Sequence, residues 1–149
     1  MAGVSVRLLR TRSFVRAPIG VFRARLGFLF GGRLLLLEHT GRSSGRPRYV
    51  VLETVARPSR DRVVIASGFG KQAQWFRNLV ADARCWVSIG SRHRVSAVAR
   101  VLTLDESATV LDGYRREHPK AYRKLGGLIE EATGSDIDQV SLVELTLRS

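Results

Sequence analysis

The run Thr40-Gly41-Arg42-Ser43-Ser44-Gly45-Arg46-Pro47-Arg48 brings two glycines, two serine hydroxyls and three arginines together in one short stretch. Backbone N–H groups, small hydroxyl donors and planar guanidinium forks suit a phosphate or a carboxylate. Taken alone, the same letters describe an arginine-rich hairpin loop in an arginine-rich chain, and the two readings stand level. A second stretch, Ala66-Ser67-Gly68-Phe69-Gly70-Lys71, leads into a segment holding Trp75 and Asn78. Gly68 and Gly70 let a ligand approach the backbone closely. A helix beginning after them adds oriented N–H groups and the positive end of its dipole.

Several other chemistries are excluded or disfavoured. Gly68-x-Gly70-x-x-Ala73 satisfies the dinucleotide fingerprint in letters only, because no acidic side chain occurs anywhere from Ala83 to Leu104 and no strand–helix–strand unit follows. Lys71 is followed by Gln72, which rules out a Walker A loop. His39, His93 and His118 have no carboxylates at metal-ligand spacing and are expected to be ordinary surface or loop histidines. Cys85 lies inside an apolar run, where a thiol is inert, and Ser67 lacks a nucleophile-elbow setting. No metal site and no hydrolytic triad is expected.

The elements that must carry these segments follow from periodicity. Leu34–Leu37, Tyr49–Leu52, Val63–Ala66 and Cys85–Ile89 are short apolar runs bounded by turn formers or charges, so each reads as a strand. His93–Leu104 alternates apolar and polar residues as a half-exposed strand, and Val140–Leu147 gives a weaker last one. Gln72–Asp82 pairs Trp75 with Leu79 and Phe76 with Val80 on a short helix. Thr103-Leu104-Asp105-Glu106 has capping-box spacing ahead of a helix over Ser107–Arg116, and Pro119 opens another through Glu131. Strands clustered in mid-chain without regular alternation with helices predict a mainly β, α+β architecture. It takes the form of a small antiparallel barrel or sheet with helices outside it.

The chain has 149 residues, the size of one domain with one core. The division read from the sequence is a basic amphipathic helix within residues 1–33 and a cofactor-binding barrel over 34–149. Residues 1–33 contain no acidic residue, and after Pro18 the residues Ile19, Phe22, Leu26, Leu29 and Phe30 recur at helical spacing. Such a helix either packs across the domain or lies on an anionic membrane surface. A net charge of +12 favours an anionic partner, although arginine supplies nearly all of it. Aromatic residues do not interleave with basic ones on a strand face, so nucleic acid is a poor fit. With one cysteine, no signal-peptide core and no long apolar stretch, the expected location is cytoplasmic, with peripheral contact at the inner face of the plasma membrane as an alternative.

Leu37-x-x-Thr40-Gly41-Arg42-x-Ser44-Gly45-x-x-Arg48, then Ala66-Ser67-Gly68 and Trp75-Phe76-x-Asn78-Leu79-x-Ala81, resembles the deazaflavin-dependent nitroreductase family of actinobacteria. The resemblance runs from about Leu34 to Leu104. It implies a split β-barrel of the flavin-reductase, FMN-binding kind, and coenzyme F-420, an 8-hydroxy-5-deazaflavin with a phosphate and an oligoglutamate tail. It places Arg42, Ser43, Ser44 and Arg48 at that tail. Tyr49, Val50, Val51 and Leu52 fall along the ribityl chain and ring, Ile65, Ala66, Ser67 and Gly68 at the ring edge, and Gln74, Trp75, Phe76, Arg77 and Asn78 on a covering helix. Ser43 stands where the family often has lysine. Glu53 and Ala121 stand where its nitroimidazole-activating member has tyrosines, with Tyr122 adjacent.

The implied activity is hydride transfer from the reduced deazaflavin to a small electron-poor acceptor such as an enone, quinone or nitro compound, with Tyr122 and His118 as candidates for a proton donor. Barrels of this kind commonly form homodimers. The alternatives are an FMN- or haem-binding protein of the same fold, and a noncatalytic basic module that binds membrane or nucleic acid.

Overall fold

The computed structural model describes residues 34–66, 73–133 and 141–148. The N-terminal segment 1–33, the glycine pair at 68 and 70, Ser67, Lys71 and the Gly134-Ser135 break lie outside the described residues. Six strands are formed: β1 (Leu34–Thr40), β2 (Pro47–Ser59), β3 (Arg62–Ala66), β4 (Arg84–Ile89), β5 (Arg92–Val101) and β6 (Leu142–Leu147). The helices α1 (Gln74–Ala81), α2 (Leu104–Glu117) and α3 (Pro119–Thr133) complete the element order. Every strand pairing is antiparallel, and the order β1-β2-β3-β6-β5-β4 closes where β4 pairs with β1.

Closure follows from period-two patterning. Leu35 and Leu37 of β1, Val63 and Ile65 of β3, Cys85, Val87 and Ile89 of β4, Ala97 of β5 and Val143, Leu145 and Leu147 of β6 all point into one buried cluster. Ala73, Trp75, Phe76 and Leu79 join that cluster from α1 and its approach, so α1 closes over the barrel interior.

A second cluster lies outside the wall, in contrast to the one core expected from chain length. Val55, Val64, Ala66 and Leu142 face outward and are covered by Leu102, Leu111, Tyr114 and Leu125. Val63–Ala66 of β3 and Leu142–Leu145 of β6 are therefore buried on both faces. This explains why Val63–Ala66 reads as a continuous apolar run and why alternation along β6 is weak.

Several boundaries differ from the sequence reading, three of them instructively. Strand β2 continues to Ser59 through Arg57 and Pro58, because register shifts between Thr54 and Ala56 and between Ala56 and Ser59 make that end irregular. An irregular strand end tolerates a proline that cannot donate to the ladder. Strand β5 stops at Val101, and α2 starts at Leu104 rather than Ser107. Thr103 is the N-cap: its hydroxyl accepts from the Glu106 N–H at 3.2 Å, while the Glu106 carboxylate accepts from the Thr103 N–H at 3.0 Å. The capping box read from the sequence is thus present and sets the earlier start. Among the described residues no helix is long and apolar enough to cross a membrane.

Candidate functional site

The arginine-rich run forms the β1–β2 connection, a tight loop. The Gly41 N–H donates to the Arg46 carbonyl at 2.9 Å, and the Gly45 N–H to the Gly41 carbonyl at 2.8 Å. Gly45 adopts φ +69°, a conformation that favours glycine. At Gly41 a Cβ would lie 2.6 Å from the Ser44 hydroxyl, which in turn accepts from the Arg46 N–H at 3.2 Å. The loop is therefore pinned internally while Arg42, Ser43, Ser44, Arg46 and Arg48 stay exposed.

Its anchor to the barrel is a chain of polar contacts. Asn78 Oδ1 on α1 accepts from both the Arg42 N–H, at 3.1 Å, and Arg42 Nη1, at 2.8 Å. Asn78 Nδ2 sits 3.0 Å from His39 Nδ1. His39 continues the inward-facing series Leu35, Leu37 and is only 4% exposed. The expectation of a surface or loop histidine is corrected here: alternation along β1 carries residue 39 inside, a signal already present in the sequence.

Burial, followed by the neighbouring Arg48 guanidinium, pushes the His39 imidazole down to about 4, with Glu38 opposing. The unfolded chain, in which the group returns to 6.5, binds a proton that the folded chain refuses. Stability is therefore complete above pH 6.5 and is lost as pH falls toward 4. The expected loss is up to about 3 kcal/mol, since each pH unit between the unfolded and folded pKa values is worth about 1.4 kcal/mol. Denaturant titrations across that window check it, with His39→Leu expected to flatten the slope. Glu106, held at about 2 chiefly by Arg100, adds its own slope only below 4.5.

Among the described residues the arginines without an ion-paired carboxylate are Arg57, Arg60, Arg77, Arg123 and Arg148, spread over several elements, and the three that share the β1–β2 loop. Arg62, Arg84, Arg92, Arg94, Arg100, Arg115 and Arg116 are all ion-paired with carboxylates. Arg42, Arg46 and Arg48 have no such partner among the described residues. Three uncompensated cations on one rigid, exposed turn can hold an anion with more than one charge.

The other predicted positions divide between two faces. Val50 and Leu52 pack toward the barrel interior, whereas Tyr49 and Val51 alternate outward. Ile65 is fully buried inside, and Ala66 belongs to the outer cluster with Val55 and Tyr114. On α1, Trp75, Phe76 and Asn78 are buried while Gln74 and Arg77 are exposed. Ser67 and Gly68 lie outside the described residues. Tyr122 packs against the outer cluster, its ring 6.5 Å from that of Tyr114, and the His118 ring lies 5.8 Å from that of Tyr114. Cys85 is buried and its thiol is pushed up to about 12 by desolvation, in keeping with an unreactive role. No group of side chains suited to a metal ion occurs among the described residues.

A feature the sequence reading missed lies on the outer wall of β1, β2, β4 and β5. A hollow of about 180 Å³ is lined by Leu36, Glu38, Tyr49, Trp86, Ser88, His93 and Arg94. Arg94 donates through Nε and Nη2 to the two Glu38 carboxylate oxygens at 3.0 and 2.9 Å and lies 5.0 Å over the Trp86 ring. It does so from φ +46°, with its N–H on the Ser88 hydroxyl at 2.9 Å, at the register shift between β4 and β5. The outward alternation of Glu38 and Trp86 was legible; a bulge at an arginine was not.

Residues 12–132 match the family model described as F420H(2)-dependent quinone reductase. The chain belongs to this family. It is accordingly an F420-dependent oxidoreductase, as the resemblance of the loop and α1 motifs implied, and the family gives FMN no support as an alternative cofactor. No protein of curated function matches the sequence significantly. Among solved structures, an F420-H2 dependent reductase is similar at a TM-score of 0.56 and 19% identity, over 76% of this chain and 93% of its own. The heme storage protein HutZ from Vibrio cholerae is similar at 0.56 and 15% identity, over 82% and 86%. A putative pyridoxamine 5'-phosphate oxidase from Listeria innocua is similar at 0.54 and 10%, over 87% and 94%. Likeness at these identities shows the fold, which is the expected split barrel.

Proposed function

We propose that this member of the F420H(2)-dependent quinone reductase family holds the anionic tail of coenzyme F-420 on the Gly41–Arg48 loop and reduces a quinone or another electron-poor acceptor, such as an enone or nitro compound. The observation that carries the reading is the set of three arginines without carboxylate partners on a loop tied to α1. The residues fit the group: a phosphate and several carboxylates call for guanidinium forks, and the Ser43 and Ser44 hydroxyls add short donors.

When bound, the reduced deazaflavin supplies the hydride, and the protein's work is to fix its face and distance. Arg42 and Arg48 hold the tail. Tyr49 and Val51 present side chains along the outer wall, and the family resemblance implies a ring-edge role for Ser67 and Gly68. Val50, Leu52, Ile65, Trp75 and Phe76 support that surface from behind, and Gln74 and Arg77 supply the exposed face of α1. Tyr122 and His118, beside the outer cluster that contains Ala66, are the candidate donors of the proton that completes reduction.

Two further parts belong to the same reading. Assembly as a homodimer is supported by a structure of similar fold, at a TM-score of 0.56 and 19% identity, described as a domain-swapped dimer. The basic, amphipathic sequence of residues 1–33 suits peripheral contact with an anionic membrane, where apolar quinones partition.

Titrating the protein with F-420, FMN and FAD side by side tests the cofactor assignment, and F-420 is expected to bind at least tenfold tighter than either flavin, about 1.4 kcal/mol. Equal or tighter binding of FMN would overturn it. Steady-state assays of the F-420-loaded protein against quinone, enone and nitro acceptors then rank the substrates.

A further inference from the structure

We infer that His39 and Asn78 are positioning residues that fix Arg42 for the cofactor's anionic tail and do not themselves touch it. The inference rests on the tail-site reading above and deepens it. Arginine carries donors only, so the Asn78 amide atom that meets both the Arg42 N–H and Arg42 Nη1 must be its oxygen. The amide orientation is then settled, and Nδ2 donates to His39 Nδ1 at 3.0 Å. His39 must accept at Nδ1 and carry its proton on Nε2.

Neutrality of the ring holds the chain together. A proton on Nδ1 would oppose N–H to N–H and turn the amide round, presenting Nδ2 to the donors of Arg42. His39 is buried and pairs across the strands with Arg48, and both circumstances disfavour a second positive charge there. The two arginines assigned to the tail are thus linked through a buried His39–Asn78 pair. Asn78, which the sequence motif places against the cofactor, has both ends of its amide engaged within the protein. Arg42, tied by its own N–H and one guanidinium nitrogen, keeps Nε and Nη2 for an anion in a fixed place. Fixing it in advance removes the ordering cost from binding.

The test compares affinity for intact F-420 with affinity for the same 8-hydroxy-5-deazaflavin lacking phosphate and glutamates. His39→Leu is expected to weaken intact F-420 by roughly 5- to 10-fold, the scale of immobilising one rotamer-rich side chain. The phosphate-free form should bind unchanged. His39→Asn, which offers an oxygen near the position of Nδ1, should restore binding. In an Arg42→Ala background His39→Leu should add nothing. Equal losses for both ligands, or additive losses in the double variant, would show a merely structural role and overturn the inference.

The nitrogen chemical shifts of the His39 ring in the ligand-free wild-type protein give a readout that depends on no variant folding. A proton on Nε2 is expected, and one on Nδ1 overturns the inference while leaving the tail-site reading standing. If Arg42→Ala binds intact F-420 as tightly as wild type, the tail-site reading fails and the inference falls with it.

Discussion

Exchanging both Arg42 and Arg48 for alanine is expected to weaken binding of intact F-420 by about a thousandfold, at roughly 2 kcal/mol for each arginine's charge-assisted hydrogen bonding to the tail. Binding of the phosphate-free deazaflavin should hardly change. Both side chains are exposed and neither contributes to the buried clusters, so the variant should fold. Losing Arg48 also removes one of the influences that keep His39 neutral, but burial, the larger cause, remains. Wild-type affinity should fall with rising salt, and the double variant should lose most of that dependence because its exposed cations supply it. Arg123→Ala, an exposed arginine on α3, serves as the control for net charge. Isothermal titration at two ionic strengths reads all of these quantities. Unchanged affinity in the double variant would sink the tail site even with the family assignment intact.

Much of the barrel was legible because its signals are local. Alternation from His93 onward, the short apolar runs Val63–Ala66 and Cys85–Ile89 and the capping box at Thr103 each specify a conformation from neighbouring residues. The loop at 40–48 was legible as a donor-rich turn for the same reason, since glycine, serine and arginine declare donors without any knowledge of the fold. What could not be read depends on which residues meet across the sheet. Nothing near Asn78 in sequence predicts that Arg42 and His39 fill its amide. Nothing near Arg94 predicts that Glu38, far away on β1, makes a bulge at an arginine acceptable. Motif likeness also groups residues by proximity along the chain, and a strand sorts them by parity. Tyr49 and Val50 therefore cannot serve the same surface with their side chains, although the family pattern takes them together.

Trp75 brings that distinction to a measurable point. The motif places it on a helix covering the ring, but its side chain is 6% exposed and sits edge-on to Phe76, with ring centroids 6.0 Å apart at 75°. It packs in the interior cluster with Leu79 from its own helix. Trp75→Ala is expected to cost about 3–5 kcal/mol of stability, the range for removing a large aromatic from a packed interior. A domain of this size holds only about 5–15 kcal/mol in all. Unfolding of α1 would then release Asn78, and with it the anchor of Arg42, so cofactor affinity should fall as a secondary effect. Trp75→Phe, which keeps most of the buried area, should recover most of the stability and nearly all of the affinity. A side chain that stacked directly on the ring would give the opposite pattern, with stability near wild type and affinity lost in both variants. Denaturant unfolding and F-420 titration on the same two proteins separate these outcomes. The structure favours the first, because the aromatic face of α1 is spent on closing the barrel, which leaves its exposed face and its link to the loop for the proposed cofactor site.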